Sequence, residues 1–110
     1  MAEVGTRKKY EDDQVVVWEL ALEPGERGET HTHELDYVVR ILSGSTLEVF
    51  DGDGGSLGVV ELEAGSAVSF RIDGEVIVAD REGYPAVPVT HSARNIGKQP
   101  FKEVLVEFKD

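Results

Sequence analysis

Three histidines are the residues of this sequence whose types and spacing are best suited to chemistry. His31 and His33 stand two apart, His91 lies far along the chain, and the sequence has no other histidine. In a β-strand, side chains at i and i+2 point to the same face, so His31 and His33 can converge on one point. Imidazole binds Zn, Fe, Ni, Cu and Mn, and firm binding needs three or more donors. The pattern predicts a divalent-metal site.

An alternative is that these histidines have no chemical role. His-x-His also occurs by chance, with His31 and His33 solvated on an exposed strand and His91 in a surface turn. The sequence contains no cysteine, so disulfides, thiolate ligands and thiol nucleophiles are excluded. Any metal must therefore be held by nitrogen and oxygen donors.

Short strands separated by glycine and proline must position these residues. Apolar, β-branched runs with partial period-two alternation predict seven strands, at 15–22, 37–42, 46–50, 57–62, 67–72, 75–79 and 102–108. Seven short strands joined by tight turns are typical of an antiparallel sandwich or barrel with little helix. The spacing leaves no room for parallel crossovers. The charged segment 6–13 has room for one helical turn.

Strand parity assigns the other residues that face the site. If His31 and His33 point inward, the inward set continues with Leu35, Tyr37, Val39 and Ile41, and the outward set is Glu34, Asp36, Val38, Arg40 and Leu42. Tyr37 is then the next polar group over the site, either as a ligand or catalytic residue or as a core aromatic. Asp36 reaches the site only if a bulge between His33 and Asp36 shifts the register.

Two glycine-flanked motifs resemble those of the cupin superfamily. The first, Gly-x5-His-x-His-x3/4-Glu-x6-Gly, is matched at Gly25, His31, His33 and Gly44, and the second is represented by Gly65, His91 and Asn95. Its Pro-x-Gly turn is altered here, where Ala86 and Pro88 stand. The resemblance spans roughly residues 15–108, and the longer stretch between the motifs predicts an extra hairpin over 73–83.

The resemblance implies a small single-domain, RmlC-like cupin, with a jelly-roll barrel known as a double-stranded β-helix. It implies that residues 14–110 form the barrel and residues 1–13 a polar arm or edge strand. It also implies His31, His33 and His91 as ligands of Fe, Mn, Ni or Zn. The usual glutamate ligand is missing: Tyr37 occupies its place by the shorter spacing and Val38 by the longer. Tyr37, or less favourably Asp36, is then the candidate fourth ligand, and Tyr37 is a tentative catalytic residue.

Composition restricts the partners. The chain has 22 acidic and 11 basic residues and a formal net charge of −11, which repels nucleic acid and anionic membranes. No run approaches the roughly 18 to 20 apolar residues needed to span a bilayer, and the first residues do not resemble a signal peptide. We therefore expect a cytoplasmic protein that binds a small molecule. The apolar outward positions Val38 and Leu42, with the outward face of 15–21, predict a homodimer.

Three functions are consistent with this pattern. The first is a metal-dependent enzyme of the oxygenase or isomerase type, acting on a small polar or anionic molecule. The second is a non-catalytic module that binds or senses a small ligand. The third is a metal-free isomerase or epimerase that uses a histidine base and Tyr37 as acid, but the sequence has no basic cluster to hold a diphosphate. Fold-level resemblance does not decide among them.

Overall fold

The described residues form an all-β structure in which every strand pairing is antiparallel. The computed structural model describes residues 4–82, 84 and 86–109. Their strands are β1 (Arg7–Glu11), β2 (Val15–Leu22), β3 (His31–Thr32), β4 (Tyr37–Ser43), β5 (Ser45–Asp51), β6 (Ser56–Leu62), β7 (Ala67–Asp73), β8 (Val76–Ala79), β9 (Val87–Pro88), β10 (Thr90–Asn95) and β11 (Phe101–Phe108). The prediction of an all-β fold with antiparallel strands is confirmed.

The strands form two sheets whose inner faces enclose the core. The larger sheet has the order β1-β2-β11-β4-β7-β8-β9, and the smaller has the order β3-β10-β5-β6. Strands from distant parts of the sequence are neighbours in both sheets, as β11 lies between β2 and β4 and β10 lies between β3 and β5. The two ends of the chain are thereby joined to its middle, and the three histidines come to one region.

All seven predicted strands are present, with bounds that differ by no more than one residue at either end. A hairpin is present near the predicted range of 73–83 but begins earlier: it consists of β7 and β8, which turn at Gly74 with a φ of +66°. The helical turn considered for 6–13 is wrong, because Arg7–Glu11 pairs with β2 as an edge strand. Part of the predicted arm (1–3), the end of the hairpin and its following turn (Gly83, Pro85) and Asp110 lie outside the described residues.

The predicted alternation along β4 is confirmed by burial. Tyr37, Val39 and Ile41 are buried, whereas Arg40 and Leu42 are exposed. The same alternation on β11 buries Phe101 and Leu105 against β2 and β4. These inward side chains form the main hydrophobic core with Trp18, Leu22, Leu47, Val68 and Ile77. In the part of the chain that the structure describes, no helix is long and apolar enough to cross a membrane.

Asn95 and Gly44 hold the ends of the strands that flank the site. The Asn95 side chain is fully buried, and its Nδ2 donates to the carbonyls of Leu22 and Gln99 at 2.9 and 2.8 Å. Its Oδ1 accepts from Ser45 at 2.7 Å and from the Gly97 amide at 2.9 Å. Gly44 lies between β4 and β5, where an added Cβ would overlap the Leu62 carbonyl oxygen. Both residues therefore fix the turns between strands that face the cavity.

Candidate metal centre

The three histidines are brought together by strand pairing in the smaller sheet. His31 on β3 is the direct cross-strand partner of His91 on β10, so their side chains are neighbours on one face. His33 follows β3, and its amide donates to the Val89 carbonyl at 2.9 Å, which extends the attachment to the segment before β10. His33 is 3% exposed and the other two are half-buried. The alternative of solvated, unrelated histidines is wrong.

The ring nitrogens of this histidine triad are spaced for a shared ion. One ligand atom from each histidine can be chosen so that all three lie within 4.8 Å of one another. Nε2 of His31 and Nε2 of His33 are 3.1 Å apart. Two neighbouring nitrogens bound at ~2.0–2.1 Å to one octahedral or tetrahedral ion are separated by roughly 2.8–3.4 Å. His31 and His33 already have the separation of two ligands of one metal ion.

Backbone carbonyls determine which nitrogen of two histidines is free. Nδ1 of His31 is 3.0 Å from the Glu29 carbonyl oxygen, and Nδ1 of His91 is 2.7 Å from that of Pro88. A carbonyl only accepts hydrogen bonds, so both Nδ1 atoms carry the proton and both Nε2 atoms keep a lone pair. Metal-binding histidines are oriented in this way by outer hydrogen bonds. The donor set therefore fits a divalent cation.

His33 is held differently. The 3.1 Å contact between the Nε2 atoms of His31 and His33 requires one proton between them, and His31 carries its own on Nδ1. That proton therefore belongs to Nε2 of His33. Nδ1 of His33 is buried and has no hydrogen-bond partner among the described residues. The His33 ring therefore makes only one of its two possible hydrogen bonds, the one from Nε2 to His31. A cation bound at Nε2 would take the place of that proton and of that hydrogen bond.

Burial keeps the histidines neutral, as ligands must be. Loss of solvent lowers the pKa of His33 to about 2, with a smaller contribution from its two histidine neighbours. Burial also lowers the pKa of His91 to about 4, although the hydrogen bond to Pro88 acts in the opposite direction. The pKa of His31 is lowered for the same reason. No proton has to be removed from a charged imidazolium before a cation binds at neutral pH.

Tyr37 lies against the cluster through its ring face. Its ring stacks on His33 with a centroid distance of 4.4 Å and an interplanar angle of 13°, and on Phe70 at 4.9 Å. Burial, with the nearby carboxyls of Glu103 and Glu107, raises the pKa of Tyr37 well above its usual range. This environment opposes a phenolate ligand. The observed stacking fixes the orientation of the His33 ring.

Asp36 is not part of the cluster. It is exposed, and its Oδ1 accepts a hydrogen bond from the Ile72 amide at 2.8 Å. The register of β4 places Tyr37, not Asp36, on the inner face, and the structure brings neither Asp36 nor any other carboxylate among the described residues into the histidine group. Its side-chain hydrogen bond instead links the residue before β4 to β7.

The histidines face a cavity of about 140 Å³ between the sheets. Most of its lining is apolar, with Leu20, Val39, Leu47, Val60 and Leu105 among the contributors. Glu103 on β11 also lines it, and sequence reasoning missed this residue. On β11 the buried face carries Phe101, Glu103, Leu105 and Glu107, but apolar residues on the other face, Val104 and Val106, obscure this alternation in the sequence. An inward carboxyl group therefore accompanies the histidines.

A groove of about 710 Å³ lies beside the cavity. The two share Val4, Leu20, His31 and Ala93 in their linings, so His31 stands where the groove meets the cavity. Arg27 and Glu29 line the groove but not the cavity.

Comparison with solved structures identifies the architecture. A cupin domain from Bordetella pertussis Tohama I superposes with a TM-score of 0.69 and 22% sequence identity, covering 100% of this chain and 99% of that one. The chain has a cupin fold. No family model matches the sequence, and no curated protein matches it. At 22% identity the comparison shows the fold and nothing about function. The predicted double-stranded β-helix is confirmed.

Other cupin-fold structures are similar over most of the chain. An RmlC-like cupin family protein from Methanocaldococcus jannaschii has a TM-score of 0.58 and 16% identity, covering 93% of this chain and 76% of that one. The polyketide cyclase RemF from Streptomyces resistomycificus has a TM-score of 0.53 and 18% identity, covering 90% of this chain and 57% of that one. The similarity extends across differently described proteins, so the function must be argued from the site.

Proposed function

We propose that the protein is a metal-dependent enzyme that acts on a small polar or anionic molecule in the cavity of its cupin fold. The observation that carries this proposal is the convergence of His31, His33 and His91, with two Nε2 lone pairs preset by carbonyl hydrogen bonds. Fe, Mn, Ni or Zn suits such a nitrogen donor set. When bound, the ion would supply Lewis acidity and a place for an oxygen-bearing ligand.

The donor set defines the class of ligand. Three neutral imidazoles leave the charge of a divalent cation uncompensated, and the described residues place no carboxylate among them. A carboxylate or a deprotonated diol supplies that charge and occupies coordination positions that the protein leaves open. The cavity of about 140 Å³ limits the bound part of the ligand to a small group.

Variants at the triad test the metal site. We expect one divalent ion per chain in the wild type, and loss of most of the affinity in His33→Ala and in His91→Ala. Calorimetric titration with Zn²⁺ and Co²⁺ measures both stoichiometry and affinity. Asp36→Asn and Tyr37→Phe are the matched controls, because they remove the two candidate fourth ligands while leaving the triad. Full retention of the metal in both alanine variants would refute the proposal.

A second candidate function is ligand binding without turnover. Two of the polar groups that line the cavity beside the triad, Tyr37 and Glu103, have a raised pKa because they are buried. Burial therefore disfavours the ionised form of both groups. Thermal-shift screening of small carboxylates and diols against the Zn²⁺-loaded and Co²⁺-loaded protein, with product analysis on each stabilising compound, separates the two functions. A binder shows stabilisation without product.

The metal-free epimerase-like function has less support. The described residues that line the cavity include no lysine or arginine to hold a diphosphate. The buried, neutral His33 has its Nε2 turned to His31 and its ring face covered by Tyr37. An acid and a base placed on opposite sides of a substrate are not available in this stack.

A further inference from the structure

Glu103 is a buried carboxyl that the proposed metal site does not use. It lies on β11 between Leu20 on β2 and Ile41 on β4, and its side chain lines the same cavity as the triad. It is 7% exposed. The opposite wall of the cavity is formed by Leu47, Val49, Val60, Leu62 and Ala93 of the smaller sheet. Most of the side chains around this carboxyl are apolar, and the rest are the histidines and two tyrosines of the cavity lining.

Glu103 has no partner in the part of the chain that the structure describes. None of the described hydrogen bonds or ion pairs involves its side chain, although the neighbouring buried Glu107 accepts one from Trp18 Nε1 at 2.7 Å. Burying an unpartnered carboxyl costs stability that an apolar residue would not. The titratable groups that share the cavity lining with Glu103 are Tyr37, Tyr84, His31, His33 and His91.

The protonation state follows from the surroundings. Burial raises the pKa of Glu103 to about 8, which favours the protonated carboxyl in the metal-free protein at neutral pH. A neutral carboxylic acid has one O–H donor and a carbonyl acceptor. The cavity therefore presents a hydrogen-bond donor on the larger sheet and three nitrogen ligands on the smaller sheet and the segment after β3.

We propose that Glu103 is a specificity-determining residue that donates a hydrogen bond to a second oxygen-bearing group of the ligand that the metal holds. This inference rests on the proposed function, because the metal fixes one end of the ligand. The ligand class is thereby narrowed to small molecules with two oxygen functions, such as dicarboxylates and hydroxy or oxo acids. A ligand with a single carboxylate satisfies the metal but leaves Glu103 unpaired.

The test uses Co²⁺-loaded protein and two probes that differ in one group. Acetate offers one carboxylate and malonate offers two. The proteins are the wild type, Glu103→Gln and Glu103→Leu, with Glu61→Gln on the exposed face of β6 as the control for loss of one carboxyl. Glutamine keeps a neutral donor of the same length, and leucine fills the space without one. Absorption of Co²⁺ reports metal binding, and calorimetry reports the affinity for each probe.

Malonate should bind the wild type, Glu103→Gln and Glu61→Gln with similar affinity, and Glu103→Leu roughly 10- to 100-fold more weakly, which corresponds to one hydrogen bond to a charged acceptor. Acetate should bind all four proteins alike. Equal malonate affinity in all four, or equal losses in Glu103→Gln and Glu103→Leu, would overturn the role of Glu103 while leaving the metal site intact. Absence of Co²⁺ binding in every protein would instead overturn the proposed function and this inference with it.

Discussion

Replacing Glu103 by glutamine should change how the stability of the protein depends on pH. Burial raises the pKa of Glu103 from its usual 4.5 to about 8 in the folded protein. Between these two pH values the unfolded chain releases a proton that the folded chain keeps. The wild type therefore loses stability as pH rises from 4.5 to 8, and this effect of Glu103 is absent below and constant above that window. Glutamine does not titrate, so the Glu103→Gln variant lacks this loss.

The size of the effect follows from the two pKa values. Each pH unit in the window changes the free energy of unfolding by about 1.36 kcal/mol, so the separation between 4.5 and about 8 corresponds to on the order of 5 kcal/mol. Relaxation of the cavity and entry of water reduce this figure, which is an upper limit. Even half of it is a large fraction of the ~5–15 kcal/mol that stabilises an ordinary domain.

Urea denaturation at intervals from pH 4.5 to 9 measures the effect. The difference in unfolding free energy between Glu103→Gln and the wild type should grow through the window and then level off. Glu61→Gln removes a carboxyl from the exposed face of β6 and controls for net charge. Parallel curves for the wild type and Glu103→Gln would refute the account of a neutral, buried carboxyl, as would an equal change in Glu61→Gln.

Three further predictions concern the frame of the barrel and its outer surface. Asn95→Ala should lower the free energy of unfolding by about 2–3 kcal/mol, measured in urea, because it removes four hydrogen bonds of a fully buried side chain and leaves the buried Leu22 carbonyl without this donor. A loss below about 1 kcal/mol would contradict this. Trp18→Phe should cost about 1–3 kcal/mol by the same assay, since the Trp18 Nε1 donor to Glu107 is lost, and unchanged stability would show that this bond is unimportant. Val17, Val106 and Val38 form an apolar row across the outer face of the larger sheet, which favours a homodimer. Light scattering should therefore report twice the chain mass of 12.0 kDa. A mass of one chain would exclude the homodimer.

Strand β4 was predictable from the sequence because alternation is strong there. Tyr37, Val39 and Ile41 alternate with the exposed Arg40 and Leu42, and the observed burial follows this period. The same parity identified Tyr37 as the polar neighbour of the triad and placed Asp36 on the other face. The His-x-His spacing alone identified two of the three members of the triad.

The strand that carries His91 was not predictable in the same way. The sequence of β10, from Thr90 to Asn95, is mostly polar and has no apolar alternation. Its strand conformation depends on pairing with β3 on one side and β5 on the other. Long-range pairing of this kind is absent from local sequence patterns. The sequence-based alternative of a surface turn at His91 reflects that limit.

Glu103 was missed for a different reason. On β11 both faces contain apolar residues, since Phe101 and Leu105 point inward and Val104 and Val106 point outward. Parity alone therefore gives no clear inner face, and a glutamate in such a strand is ordinarily assigned to solvent. Only the position of β11 between β2 and β4 reveals that Glu103 faces the cavity.

The central claim is that His31, His33 and His91 hold one divalent ion. The most direct measurement is a crystal structure of the protein grown with Co²⁺, with anomalous scattering recorded at the cobalt edge. We predict one strong anomalous peak within bonding distance of the Nε2 atoms of all three histidines. Absence of a peak among these nitrogens, with Co²⁺ bound elsewhere or nowhere, would contradict the account.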